Sequence, residues 1–175
     1  MSYVTVKLRL KDKHWDAYTV TVLKDGKVLI CGGYYLTFDG NPSPTLNSCE
    51  IYDYETGKWS YAASMHYKRS GHSATLLNNG NVLVAGGSAD NALELNKCEI
   101  YEPKENRWIE IDSLNLARYS HNAILLNNNN VLISGGQNYH YSGGPWLSSC
   151  EIYDFSNNKW INANKLIYAR NNLFS

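Results

Sequence analysis

The chain has no excess of charge. Sixteen Lys and Arg balance sixteen Asp and Glu over 175 residues, so nothing builds the long-range field that draws a protein to nucleic acid or an anionic membrane. It has no apolar run approaching the roughly 20 residues of a membrane span. The first ten residues, Met-Ser-Tyr-Val-Thr-Val-Lys-Leu-Arg-Leu, alternate polar and apolar and lack the continuous apolar region of a secretion signal. There is no Asn-x-Ser/Thr sequon with a permitted middle residue. Together these absences lead us to expect a cytoplasmic protein that binds neither nucleic acid nor membrane.

Metal and redox signatures are also missing. The four cysteines form no Cys-x-x-Cys and stand at no zinc-like spacing from histidine, so we expect neither metal nor cofactor. Cys49, Cys98 and Cys150 are each followed by Glu-Ile-Tyr. This repetition assigns them to equivalent, well-separated positions, beyond the Cα separation of about 4.4–6.8 Å that a disulfide requires. All four cysteines read as small buried hydrophobes, and a Cys31–Cys49 bridge stays open.

What the chain does have is repetition. Asn79-Gly80-Asn81-Val-Leu-Val-Ala-Gly86-Gly87 recurs as Asp25-Gly26-Lys27-Val-Leu-Ile-Cys-Gly32-Gly33 and as Asn128-Asn129-Asn130-Val-Leu-Ile-Ser-Gly135-Gly136. The second glycine doublet lies 54 residues after the first, and the third 49 after the second. A period near 50 marks a repeat architecture. In each copy strand A, Tyr18-Thr-Val-Thr-Val-Leu23 in the first, meets a turn of residues that tolerate positive φ, from which we expect a two-residue hairpin of the primed type. Strand B is apolar on both faces and so is expected to be covered on both sides. A variable loop leads to strand C, Cys-Glu-Ile-Tyr, and strand D then carries a tryptophan: Tyr52 with Trp59, Tyr101 with Trp108, Tyr153 with Trp160. Gly57, Asn106 and Asn158 fall at one position in the C–D turn, where a left-handed backbone is expected.

A strand ending in Gly-Gly, a variable loop, and then Tyr-x6-Trp resembles the kelch repeat. The resemblance implies an all-β fold, a portion of a kelch-type β-propeller with three four-stranded antiparallel blades: residues 17–63, 72–112 and 121–164. Residues 3–10 are expected as an extra N-terminal strand from a preceding blade, and residues 170–175 as the start of a fourth. Three blades do not close a ring, since propellers typically have about 4–8. The chain is therefore expected to be the segment of a longer propeller, or half of a homodimer closing a six-bladed ring.

Recurrence within the chain separates scaffold from site. A residue present in every blade does what every blade needs. The glycine doublets lack the helix and lysine of a phosphate loop, and we expect aromatic side chains beside Gly32, Gly86 and Gly135. Arg69, Arg118 and Arg170 recur with His72 and His121, and Glu50, Glu99 and Glu151 are the repeated anions. We expect Arg–Glu pairs and blade-to-blade hydrogen bonds, with partial rescue on charge swap. The Tyr–Trp pairs are expected to pack between blades.

The B–C loops, residues 34–48, 88–97 and 137–149, do not recur. Their aromatics Tyr34, Tyr35, Phe38, Tyr139, Tyr141 and Trp146, with His140, are the candidate binding residues, because aromatic side chains on loops make recognition surfaces. In kelch proteins these loops lie on the face where relatives bind peptide segments of partners, so a protein partner is expected. No Ser-His-Asp arrangement or carboxylate pair is apparent, and no catalytic residue is assigned. The alternative is the non-catalytic part of a kelch-type copper radical oxidase (galactose/glyoxal oxidase-like), whose copper site would lie elsewhere.

Overall fold

A computed structural model describes residues 16–34, 44–90, 93–139 and 145–171. The strand expected at 3–10 lies outside these residues, as does all but Arg170 and Asn171 of the fourth-blade start expected at 170–175. Among the described residues are three four-stranded antiparallel sheets, one per repeat. The first holds β1 (Thr19–Val22), β2 (Val28–Cys31), β3 (Cys49–Asp53) and β4 (Lys58–Ala62). The second holds β5 (Ser73–Leu76), β6 (Val82–Ala85), β9 (Cys98–Glu102) and β10 (Arg107–Ile111). Within its B–C loop a short hairpin, β7 (Ser88–Ala89) and β8 (Leu93–Glu94), forms a separate sheet that the repeat pattern did not foretell. The third holds β11 (Asn122–Leu125), β12 (Val131–Ser134), β13 (Cys150–Asp154) and β14 (Lys159–Ala163). The A strands β1, β5 and β11 touch from blade to blade, which places them on the inner side of an arc.

The core is two slabs, each between neighbouring blades. Leu29, Cys31 and Cys49 of the first blade meet Val82, Val84, Tyr101 and Trp108 of the second. Leu83, Ala85, Cys98 and Ile100 of the second meet Val131, Ile133, Tyr153 and Trp160 of the third. Alternate residues of β6 therefore face opposite neighbours, and all four are buried. In β12, which has a described neighbour on one side, burial alternates along the strand. An apolar B strand is thus explained by blades on both faces. The Tyr–Trp pairs stack at centroid distances of 5.0, 5.0 and 5.2 Å. Trp108 and Trp160 are buried against the preceding blade and donate their indole N–H to Ala63 O (2.8 Å) and Asp112 O (3.1 Å). Tyr52 and Trp59 are half-buried.

The A–B turns differ from the expected two-residue form. Leu23 N donates to Lys27 O and Gly26 N to Leu23 O, and the other blades repeat this at 77–81 and 126–130. Each loop thus has three residues, of which the last alone has positive φ: Gly26 (82°), Gly80 (91°) and Asn129 (66°). The extra residue lets an ordinary turn precede the left-handed one. In the C–D turn Gly57, Asn106 and Asn158 are left-handed as expected.

The glycine doublets also need correcting in detail. A Cβ on Gly32 would lie 2.5 Å from the Arg69 carbonyl oxygen and 2.7 Å from His72 Cε1, and at Gly86 Arg118 O and His121 Cε1 occupy the same places. The crowding comes from a backbone carbonyl and an imidazole, with no tyrosine or tryptophan among the nearest atoms. The second glycine of each doublet, Gly33, Gly87 or Gly136, donates its N–H to that carbonyl, of Arg69, Arg118 or Arg170 (2.8, 2.8 and 2.7 Å).

From this seat on one blade the arginine side chain reaches into the next. Arg69 is fully buried and donates to Gly86 O (2.7 Å), Lys97 O (2.8 Å) and Glu99 (2.7 Å). Arg118 does the same with Gly135 O (2.8 Å), Ser149 O (2.9 Å) and Glu151 (2.9 Å). Each glutamate then accepts from the blade that supplied the arginine: Glu99 from His66 N (2.9 Å), Glu151 from Asn115 N (2.7 Å) and Leu116 N (3.2 Å). Two of the expected pairs exist, Arg69–Glu99 and Arg118–Glu151. The expected charge-swap rescue does not follow, because a carboxylate at 118 would face carbonyl oxygens and a guanidinium at 151 would face N–H donors. Arg170 keeps the backbone seat, and its side chain is exposed.

Candidate functional site

The described residues of the non-repeating loops are tied to one another in a layer at the end of the sheets where strand B leads to strand C. In the first blade Tyr34 bridges to Thr45 and to Asp16, and its hydroxyl lies 3.2 Å from Asp16 Oδ2. Thr45 N then donates to Asp90 Oδ1 at 2.7 Å, tying the first loop to the second. That bond holds the Asp90 carboxyl below its ordinary range, with Lys68 Nζ adding a pair at 3.5 Å. Ser70 bridges to Ser88 beside it. The second loop reaches the third through Tyr139 N, which donates to Glu94 Oε1 at 2.9 Å, and Glu94 is buried. Within the third loop Asn138 N donates to Pro145 O (2.7 Å), and Gln137 bridges to both Tyr119 and Trp146.

This layer presents apolar surface on a braced backbone. Leu93, Tyr139 and Trp146 are 58%, 64% and 56% exposed. The Tyr139 ring stacks against Tyr119 at 6.3 Å, and burial with a hydroxyl–hydroxyl hydrogen bond raises the Tyr119 phenol above its ordinary value. Tyr34 is half-buried at the far side of the layer, its phenol raised by burial and then by Asp16. Of the other candidates, Tyr35, Phe38, His140 and Tyr141 lie outside the described residues. Sequence reasoning missed Asp90 and Glu94, which supply the ties between loops. Neither residue type nor spacing singles out a carboxylate whose partner is a backbone N–H about 45 residues away.

Beside the layer, a hollow of about 890 Å³ is lined by the A strands and the linkers before them, including Asp16, Tyr34, Gly71, Ser120 and both histidines. His72 Nε2 is 3.0 Å from Thr19 Oγ1, and His121 Nε2 is 2.9 Å from Ser73 Oγ, each across a blade boundary. A serine touching a histidine suggests nucleophile activation, and that chemistry needs a third group orienting the imidazole. Nδ1 of His121 is buried with no hydrogen-bond partner. Burial lowers both histidines, His121 to about 3, with the nearby arginine as the second cause. The geometry is that of a repeated strut. Among the described residues no group of three or more His, Cys, Asp or Glu is placed to hold a metal.

The repeated cysteines are similarly structural. Each is buried, and its thiol points to the carbonyl two residues earlier, at 3.8 Å in Cys49, 3.6 Å in Cys98 and 3.8 Å in Cys150.

Among solved structures, one titled "Structure of YjhT" superimposes with a TM-score of 0.73 at 14% identity, over 87% of this chain and 52% of its own. At that identity the likeness carries the fold alone, and this chain spans about half the length of that structure. None of the curated proteins matches the chain. The KLHDC2/KLHL20/DRC7 Kelch-repeats domain matches residues 8–169. With its glycine doublets, Tyr–Trp pairs and three antiparallel blades now in place, the chain belongs to the kelch-repeat family.

Proposed function

We propose that the chain is a non-catalytic interaction module that holds a partner protein against its B–C loop face. Kelch-repeat domains are commonly protein-interaction modules, and the loops are where this chain departs from its own repeat. The observation that carries the reading is the exposure of Tyr139, Trp146 and Leu93 on a backbone already braced by Asp90 and Glu94. Ordering those loops before binding removes an entropic penalty from association, and large rigid aromatics are the usual anchors of an interface. A zero formal net charge directs the proposal toward a protein and away from nucleic acid. No helix among the described residues is long and apolar enough to cross a membrane, and we assign the module to the cytoplasm. We further read the open arc as completed by other blades, from a longer chain or from a second copy. The copper-oxidase alternative gains no support from the two histidines of the hollow, whose Nε2 atoms are taken by Thr19 and Ser73.

The test is a displayed random-peptide library selected on the chain. Selected peptides are expected to lose tenfold or more in affinity when Tyr139→Ala and Trp146→Ala are combined, about 1.4 kcal/mol or more. Peptides that bind the double variant as tightly as the parent place the binding face elsewhere.

A further inference from the structure

The first blade carries a pair of thiols that the other two lack. Cys31 stands directly opposite Cys49 in the β2–β3 ladder. At the matching positions Ala85 faces Cys98 and Ser134 faces Cys150. Just beyond the thiol pair, Gly32 N donates to Ser48 O at 3.0 Å. Hydrogen-bonded and open pairs alternate along an antiparallel ladder, so Cys31 and Cys49 form an open pair. Their side chains share one face of the sheet, and such pairs have Cα atoms about 4.5 Å apart. That lies inside the range of about 4.4–6.8 Å that a disulfide accepts. The two thiols are free and buried.

We propose that Cys31 and Cys49 are a latent cross-strand disulfide, closed by a peroxide and clamping the base of the first B–C loop. One sulfur, as thiolate, attacks a peroxide oxygen. The O–O bond breaks, leaving a sulfenic acid and, after proton uptake, one water. The second sulfur attacks the sulfenic sulfur, the S–S bond forms, and the S–O bond breaks to release a second water. Two electrons pass from the sulfurs to the peroxide, and both thiol protons end in water. Burial raises the Cys31 thiol well above its ordinary value, so the reaction waits on transient opening of the strand pair. Once formed, the bond joins the two strands next to Gly33, which holds the Arg69 carbonyl.

The test exposes the full chain to hydrogen peroxide, then alkylates it in denaturant and maps its peptides with and without dithiothreitol. The Cys31 and Cys49 peptides are expected as one linked species, two hydrogens lighter than their sum and separated by the reductant. Cys98 and Cys150 are expected alkylated. The oxidised chain should melt several degrees higher than the reduced chain, and Cys31→Ser should abolish both link and shift while Cys98→Ala keeps them. Full alkylation of all four cysteines, a link through Cys98 or Cys150, or direct passage to sulfinic acid overturns the proposal. Should Cys31→Ser fail to fold, the peptide map of the parent chain decides alone.

Discussion

Arg69 and Arg118 show what a single residue does in this architecture. Each has its backbone on one blade and its guanidinium inside the next, donating to two carbonyls and a glutamate. Removing one partner of a buried pair leaves the other charged and unmatched. Arg118→Met is therefore expected to lower the unfolding free energy by about 3–5 kcal/mol, read by urea denaturation. Arg118→Lys should recover only part of it, since an ammonium cannot span the carbonyl pair and Glu151 as a planar fork does. The histidines add a pH dependence. His121 is held at about 3 against about 6.5 when unfolded, so below pH 6.5 the unfolded chain takes up a proton that the native chain refuses. Stability is whole above 6.5 and falls toward pH 3 by up to about 1.4 kcal/mol per unit for this residue. His121→Gln, which can still bond Ser73, should flatten the profile between pH 6.5 and 5. An unchanged slope would exclude His121 as the source.

Elements extend the same logic. β6, between two described blades, is buried along its whole length, and β12, with a described blade on one side, is buried at alternate residues. Trp108 packs on the preceding blade, and its truncation to Ala should cost about 3–5 kcal/mol. Trp59→Ala should cost distinctly less, because Trp59 is half-buried. Equal losses would contradict packing as the role of the pair. Gly86→Ala is expected to destabilise strongly, since a Cβ would strike the Arg118 carbonyl at a backbone φ of 62°. Much of this was legible in the sequence: the meander, the left-handed C–D position and the Arg–Glu pairing all follow from residue types recurring in register. Three details were not. The A–B loop has three residues because a turn residue's tolerance of positive φ says nothing about loop length. The glycines meet a carbonyl, which no side-chain pattern reports. Asp90 and Glu94 bond backbone N–H groups across blades, and such a partner carries no residue-type signal.

For the whole molecule, the division is between what recurs and what does not. The recurring parts hold blade to blade through slabs of apolar side chains and buried arginines. The parts found once make a braced loop face whose exposed side chains, Tyr139 and Trp146, lie outside those slabs. Tyr139→Ala with Trp146→Ala should accordingly leave stability within about 0.5 kcal/mol of the parent, while it removes binding. The measurement that bears most directly on this division is the urea midpoint of Arg118→Met beside that of the Tyr139→Ala/Trp146→Ala double variant. The account predicts a large drop for the first and no change for the second. A stable Arg118→Met, or a loop variant that unfolds as early, would contradict it.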